Sequence, residues 1–158
     1  MKKVAFFCIP AHGHTNPMLP VAAELVKRGN TVRFYSFDEF EDKIHATGAE
    51  FISCDAYLPK LTEQEEAGLK NVSTTEMTLQ DIRITLRMDS FLDKEFKTFN
   101  PDVIYSDSVC FWGKLNAWKH VFNYVASFAS ASSMNYVTSE QMKNVFGYSK
   151  YILWASAN

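Results

Sequence analysis

Apolar residues run unbroken across residues 4–9, with no polar position between them. A short run without alternation is the pattern of a strand covered on both faces by helices, so it predicts a central parallel strand. After the turn segment 10–16, Pro17 suits a first helical position. Leu19, Ala22, Ala23, Leu25 and Val26 then recur at helical spacing until Lys27-Arg28-Gly29 closes the helix. Residues 31–36 are β-branched and aromatic and predict a second strand. Residues 39–47 predict a short helix stopped by Gly48, and residues 50–53 a third strand. Residues 55–76 lack a clean period, carry Pro59, Gly68 and the acidic Glu63, Glu65 and Glu66, and read as a long loop of the kind that binds ligands.

From Met77 the helical period returns through Leu79, Ile82, Leu86, Met88, Leu92, Phe96 and Phe99, over charged Arg83, Asp89, Asp93 and Lys97, and Asn100-Pro101 stops it. A fourth strand over 102–105, a helix over 111–119 and a fifth strand over 124–129 complete the pattern. Connections this short leave only right-handed crossovers. The expectation is an α/β domain, a Rossmann-like parallel sheet flanked by helices.

Composition narrows the class. With 158 residues, 47% hydrophobic, 22% charged and a net charge of −2, the chain has room for one ordinary globular domain and carries no field of one sign. Its sixteen Lys and Arg are scattered among eighteen Asp and Glu, so no basic stripe points to nucleic acid. The three cysteines, Cys8, Cys54 and Cys110, form no CxxC pair and no zinc spacing, and read as reduced, buried thiols. Met1-Lys2-Lys3 before an apolar run imitates an export signal, but Pro10 cuts the run short, and no run approaches a membrane span. The cytoplasm is the expected compartment.

In open α/β sheets ligands bind at the carboxyl ends of the strands, which directs attention to Pro10-Ala11-His12-Gly13-His14-Thr15-Asn16-Pro17 and to Ser106-Asp107-Ser108. The first segment holds two of the four histidines at the start of a helix. A histidine titrates near neutral pH without help, and an aspartate on an adjacent strand can reach its ring and fix the tautomer. Gly13 is expected to supply backbone freedom and His12 to help position the turn. Asp107 has a second possible role as cap of the following helix. His45 and His120 read as surface or interface histidines, and Phe111, Trp112 and Trp118 as core. Tyr57, Tyr136, Tyr148, Tyr151 and Trp154 are the aromatic candidates for ligand contact.

These residues carry a resemblance. The first turn continuing through Met18-Leu19-Pro20, the helix end Glu24-Leu25-Val26-Lys27-Arg28-Gly29-Asn30-Thr31-Val32 and Ala46-Thr47-Gly48-Ala49-Glu50-Phe51 resemble the start of the macrolide-type and UDP-glucosyl-type glycosyltransferases. These enzymes are built from two Rossmann-like domains, the GT-B arrangement. The resemblance covers roughly the first 120 residues. It implies that His14, the histidine of the Gly-His-x-x-Pro element, is the general base that deprotonates the acceptor hydroxyl, and that Asp107 pairs with it. It places a small hydrophobic, hydroxylated acceptor in a cleft formed by the first turn, the 55–76 loop and the start of the Met77 helix. His12, Gly13, Asn16, Tyr57, Met77 and Ser108 are the candidate contacts.

The nucleotide-sugar donor, UDP-linked on this resemblance, is a substrate held by a second domain. No cofactor and no metal is expected. Residues 147–158 carry nothing like that domain's His/Gly-rich diphosphate motif. The expected organisation is therefore an acceptor-binding domain over 1–135, a helical tail or truncated linker over 136–158, and no donor domain. The family tends to place a glycine and a proline before the fifth strand, where this chain has His120-Val121-Phe122-Asn123. Tyr148, Tyr151, Ile152, Leu153 and Trp154 would expose an apolar patch unless they pack on their own domain or on a second copy. Two alternatives stand beside this reading. One is a non-catalytic module binding a small molecule or a partner. The other, weaker, is a nucleotidylyltransferase, whose HxGH element is one residue longer than the spacing here.

Overall fold

The computed structural model describes residues 1–58 and 74–127. Five strands form one parallel sheet in the order β3-β2-β1-β4-β5. They are β1 (Lys3–Phe7), β2 (Thr31–Ser36), β3 (Glu50–Ser53), β4 (Val103–Asp107) and β5 (Asn123–Ser127). The helices are α1 (His12–Thr15), α2 (Leu19–Lys27), α3 (Glu41–His45), α4 (Thr74–Phe99) and α5 (Phe111–Lys119). Single 3₁₀ turns cover Asn16–Met18, Asp38–Phe40 and Asp55–Tyr57. The Rossmann-like α/β expectation holds. Several bounds moved: helical backbone starts at His12, ahead of Pro17; α3 is shorter than the helix expected over 39–47; α4 begins at Thr74, inside the segment expected to be loop; β4 extends to include Asp107; and β5 is Asn123–Ser127 in place of 124–129.

β1 is central and buried on both faces, as its unbroken apolar run requires; Ala5, Phe6, Phe7 and Cys8 are fully buried. Successive side chains point to opposite faces. Phe6 stacks between Phe34 and Tyr105, with ring centroids 5.2 and 4.7 Å away, while Phe7 stacks on Tyr35 at 4.7 Å and meets the edge of Phe96 from α4. Right-handed crossovers running β1 to β2 to β3 step one way along the sheet, and the β4 to β5 crossover steps the other. Helices α2 and α3 therefore cover one face, and α4 and α5 the other. At Gly113 the backbone of α5 comes so close to the sheet that a Cβ there would clash with Ser106 and stand 2.9 Å from Phe7 Cβ.

The apolar positions of the α4 period fall on two faces of the helix. Met88, Leu92, Phe96 and Phe99 are buried, whereas Leu79, Ile82 and Leu86 are exposed. Helix geometry explains this. At about 100° per residue, Leu79, Ile82 and Leu86 stand about 120–180° around the axis from Met88, on the face opposite the one that buries Ile84, Thr85, Met88 and Leu92. The helix leads down to the amino end of β4. Its second half is fastened by Arg33, which bonds Glu50 at 2.7 Å and Glu95 at 3.2 Å, and by Lys119, whose ammonium lies 2.8 Å from both Asp89 and Asp93. His120 adds a 2.8 Å bond to Asp93.

The core assignment of the α5 aromatics also needs correction. Trp112 is buried, but Phe111 and Trp118 are exposed, because they share with Leu115 the side of α5 turned away from the sheet. The three cysteines are free and buried. Among the described residues, no helix is long and apolar enough to cross a membrane. Tyr136, Tyr148, Tyr151, Trp154 and the apolar chain end lie outside the described residues, as does most of the 55–76 loop.

Gly29 and Gly48 end their helices at φ +79° and +80°, the left-handed geometry that glycine tolerates. Between α5 and β5 the same geometry falls on a β-branched residue, Val121, at φ +58°. This is the segment where the resemblance leads one to expect glycine. A left-handed L-residue is strained by roughly 1–2 kcal/mol, and the Val121 side chain is 90% exposed, so little packing offsets the strain. Val121→Gly is accordingly expected to stabilise the chain by about 1 kcal/mol in urea unfolding, net of the entropy glycine adds to the unfolded state.

Candidate functional site

The strand order reverses between β1 and β4, and a crevice opens where the connections leave their carboxyl ends in opposite directions. Asp107 is the last residue of β4, fully buried. His14 sits on α1, which follows β1 directly. Their side chains meet: His14 Nδ1 is hydrogen-bonded to Asp107 Oδ2 across 93 residues of sequence. An ionised carboxylate can only accept, so Nδ1 carries the hydrogen and Nε2 is left as the basic nitrogen. The His14 side chain is 27% exposed and that of Asp107 1%, so the pair consists of a buried orienter and a reachable ring.

The other carboxylate oxygen is held from behind. Oδ1 accepts from the Val109 N–H at 3.0 Å and from the Ser108 hydroxyl at 3.4 Å. The Asp107 carbonyl accepts from Cys110 N–H at 3.0 Å, so the chain turns tightly about the aspartate. The helix-cap alternative is not realised. Cys110, not Asp107, occupies the cap position of α5.

The remaining candidates spread around this pair. His12 is exposed, edge-on to Phe40 at 5.0 Å and 3.9 Å from Glu39, so it braces the turn against the 3₁₀ segment after β2. Gly13 differs from expectation. It has no positive φ, and a Cβ there would meet nothing within 4 Å, so its backbone freedom goes unused and open space lies beside it. Asn16 accepts from Lys43 Nζ at 3.4 Å. Tyr57 stacks on Phe91 of α4, centroids 4.8 Å apart. Ser108 adjoins Asp107, and Met77 falls in the first turn of α4 with its side chain outside the described residues. His45 bonds Glu41 at 3.4 Å on the surface, and half-buried His120 belongs to the α4–α5 clamp. Among the described residues, no group of three His, Cys, Asp or Glu side chains could hold a metal ion.

Two apolar features were missed from the sequence. Val109 and Phe111 are exposed just after Asp107, at the carboxyl end of β4, and Leu79, Ile82 and Leu86 form an exposed stripe on the outer face of α4. Their signal existed as helical spacing, but spacing gives no sign of whether a neighbouring element covers the stripe.

The comparisons with known proteins bear on this geometry. The chain is 35% identical over 121 residues to the NDP-glycosyltransferase YjiC of Bacillus licheniformis, covering 75% of this chain and 30% of that protein. It is 29% identical over 143 residues to the demethyllactenocin mycarosyltransferase of Streptomyces fradiae, covering 84% of this chain and 30% of that protein. This chain is a relative of the bacterial glycosyltransferases. It spans about a third of the length of these curated relatives. No family profile matches it. Among solved structures, the calicheamicin glycosyltransferase CalG4 superposes with a TM-score of 0.63 at 22% identity, over 95% of this chain and 38% of that one. The glycosyltransferase of kitacinnamycin gives 0.64 at 20% identity, over 79% and 29%. Both have the fold described above and fit an N-terminal half of the GT-B arrangement.

Asp107→Ala removes the acceptor of two N–H groups at once, those of Val109 and the His14 ring, both part-buried. The expected cost is about 1–3 kcal/mol of stability, measured by urea unfolding of the 158-residue chain.

Proposed function

We propose that this chain is the acceptor-binding half of an inverting glycosyltransferase, which moves a sugar from a nucleotide-sugar donor to a hydroxyl of a small hydrophobic acceptor. The observation that carries the reading is the His14–Asp107 pair at the strand-order reversal. An acceptor hydroxyl is a weak nucleophile until its proton leaves. His14 Nε2 takes that proton as the oxygen attacks the anomeric carbon, the bond to the nucleotide diphosphate breaks on the opposite face, and the configuration inverts. The imidazolium formed is stabilised by the buried carboxylate at Nδ1, which is the base and orienter portion of triad chemistry. Positioned general bases contribute about 10²–10⁴-fold to rates.

The acceptor is assigned to the carboxyl side of the sheet, where the open space at Gly13, the exposed Val109 and Phe111, and the α4 stripe of Leu79, Ile82 and Leu86 offer apolar surface near one polar group. His12, Asn16, Tyr57, Met77 and Ser108 remain its proposed polar and aromatic contacts. Donor binding is assigned to a second Rossmann-like domain outside these 158 residues. A thymidine diphosphate complex is known for the structurally similar SsfS6 of Streptomyces sp. SF2575, whose fold this chain matches at a TM-score of 0.60. On this reading the 158-residue chain alone transfers no sugar, and titrating it calorimetrically with UDP-glucose should give no micromolar binding.

Catalysis is testable in a chimaera in which this chain replaces the matching third of the Bacillus licheniformis relative. His14→Ala should lower kcat for alcohol acceptors by about 10²–10⁴-fold with little change in KM, the signature of an interaction made in the transition state. Asp107→Asn should cause most of the same loss, and the double variant should be scarcely worse than the worse single one, because the two groups act as a unit. Acidic phenols, arriving partly ionised, should be least affected. A His14→Ala chimaera that glycosylates an aliphatic alcohol at the parental rate would remove His14 from the mechanism.

A further inference from the structure

The proposed base sits at the free end of a helical run. α1 is the first turn of that run, which continues without a break through the 3₁₀ turn Asn16–Met18 into α2, and Ala11 at its cap position provides no side-chain bond. Backbone bonds from His14 and Thr15 N–H to the Ala11 carbonyl, at 3.0 and 2.9 Å, close the turn within the chain and make no bond to the sheet. A rotation by one residue, about 100°, would swing the His14 ring away from β4. Of the four residues of α1, only Thr15 is buried, and it is fully buried.

The Thr15 hydroxyl lies 3.2 Å from the Cys8 thiol, just past the end of β1, and that thiol lies 3.6 Å from the hydroxyl of Ser36, the last residue of β2. All three groups are fully buried. They form a polar line from the carboxyl edge of two adjacent strands to the floor of the turn that carries His14. Burial pushes the Cys8 thiol up to about 11, against the hydrogen bonds of Thr15 and Ser36, so it keeps its hydrogen at neutral pH and can both give and accept a bond. Thr15 is also β-branched, which stiffens its side chain and makes the oxygen a firm anchor.

We propose that Thr15, through its hydrogen bond to the buried Cys8 thiol, is the positioning residue that sets the rotation of α1 at which His14 meets Asp107. The proposal deepens the general-base reading and rests on it. Thr15 touches no reacting atom; it acts through the direction in which its neighbour's ring is presented. Shape alone does not serve, because valine fills the same space and leaves the thiol only the longer contact to Ser36.

The test uses the ¹⁵N-labelled 158-residue chain and the deshielded proton shared between His14 Nδ1 and Asp107, together with the ¹⁵N shifts that report the tautomer. The native chain should show that proton. Thr15→Val should lose it and shift the ring nitrogens towards a mixture of tautomers, and Thr15→Ser, which restores a hydroxyl, should recover it. Thr85→Val removes another buried hydroxyl, one bonded to the Asp81 carbonyl on α4, and should leave the signal intact. If Thr15→Val does not fold, Cys8→Ala removes the same contact from the strand side and should weaken the signal likewise. A native chain without the proton would overturn the His14–Asp107 reading itself. A signal that survives Thr15→Val, or that Thr85→Val abolishes equally, would overturn the positioning role while leaving the base in place.

Discussion

Burial of β1 on both faces is the constraint from which the rest of this domain follows. A strand whose Ala5, Phe6, Phe7 and Cys8 have no exposed surface has to be covered by helices above and below. With right-handed crossovers, coverage of both faces means that connections leave β1 on one side and β4 on the other. The divergence opens a crevice between two strands whose hydrogen bonding keeps them adjacent, Phe7 opposite Ser106 in register. A residue at the end of β4 and one in the turn after β1 are thereby brought together, though 93 positions separate them. The site is a consequence of the packing that stabilises the core, and its two halves lie at the carboxyl ends of two adjacent strands.

That origin explains the division of labour within the pair. Asp107 ends a strand, is buried, and has its second oxygen occupied by local N–H and hydroxyl groups, so it has one orientation. His14 is in the first turn of the helical run that follows β1 and stays reachable. A buried carboxylate with satisfied lone pairs is a stable electrostatic partner, whereas a ring in the role proposed for His14 has to approach a substrate. The rigid element holds the group that must not move, and the turn holds the group that must be accessible.

The strained and exposed positions mark where local rules yielded. Val121 adopts left-handed backbone because the short link from α5 to β5 has to reverse there, whichever residue occupies it. The first half of α4 leaves an apolar stripe in the open because Leu79, Ile82 and Leu86 lie on the helix face opposite Ile84, Thr85 and Met88, which face the core. The close approach of α5 to β4, by contrast, uses a residue suited to it, since Gly113 alone lets the backbone lie against Ser106 and Phe7.

Much of this was already present in the amino-acid sequence. The unbroken run through β1, the helix-ending Gly29 and Gly48, and the bounds of β2, β3 and α5 follow from local pattern, because side-chain periodicity and glycine's tolerance of positive φ act over a few residues. His14 and Asp107 were legible as candidates for the same reason, each close after an apolar strand. The meeting of Asp107 with His14 in place of a helix-capping role was decided by tertiary structure, since a hydrogen bond across 93 residues depends on strand order, which no local pattern encodes. The exposure of Phe111, Trp118 and Leu86 was decided there too, because helical spacing defines a stripe but only the neighbouring elements determine whether it is covered. The Thr15, Cys8 and Ser36 contacts belong with these: three unremarkable residues in the sequence become one buried line once β1 and β2 lie side by side.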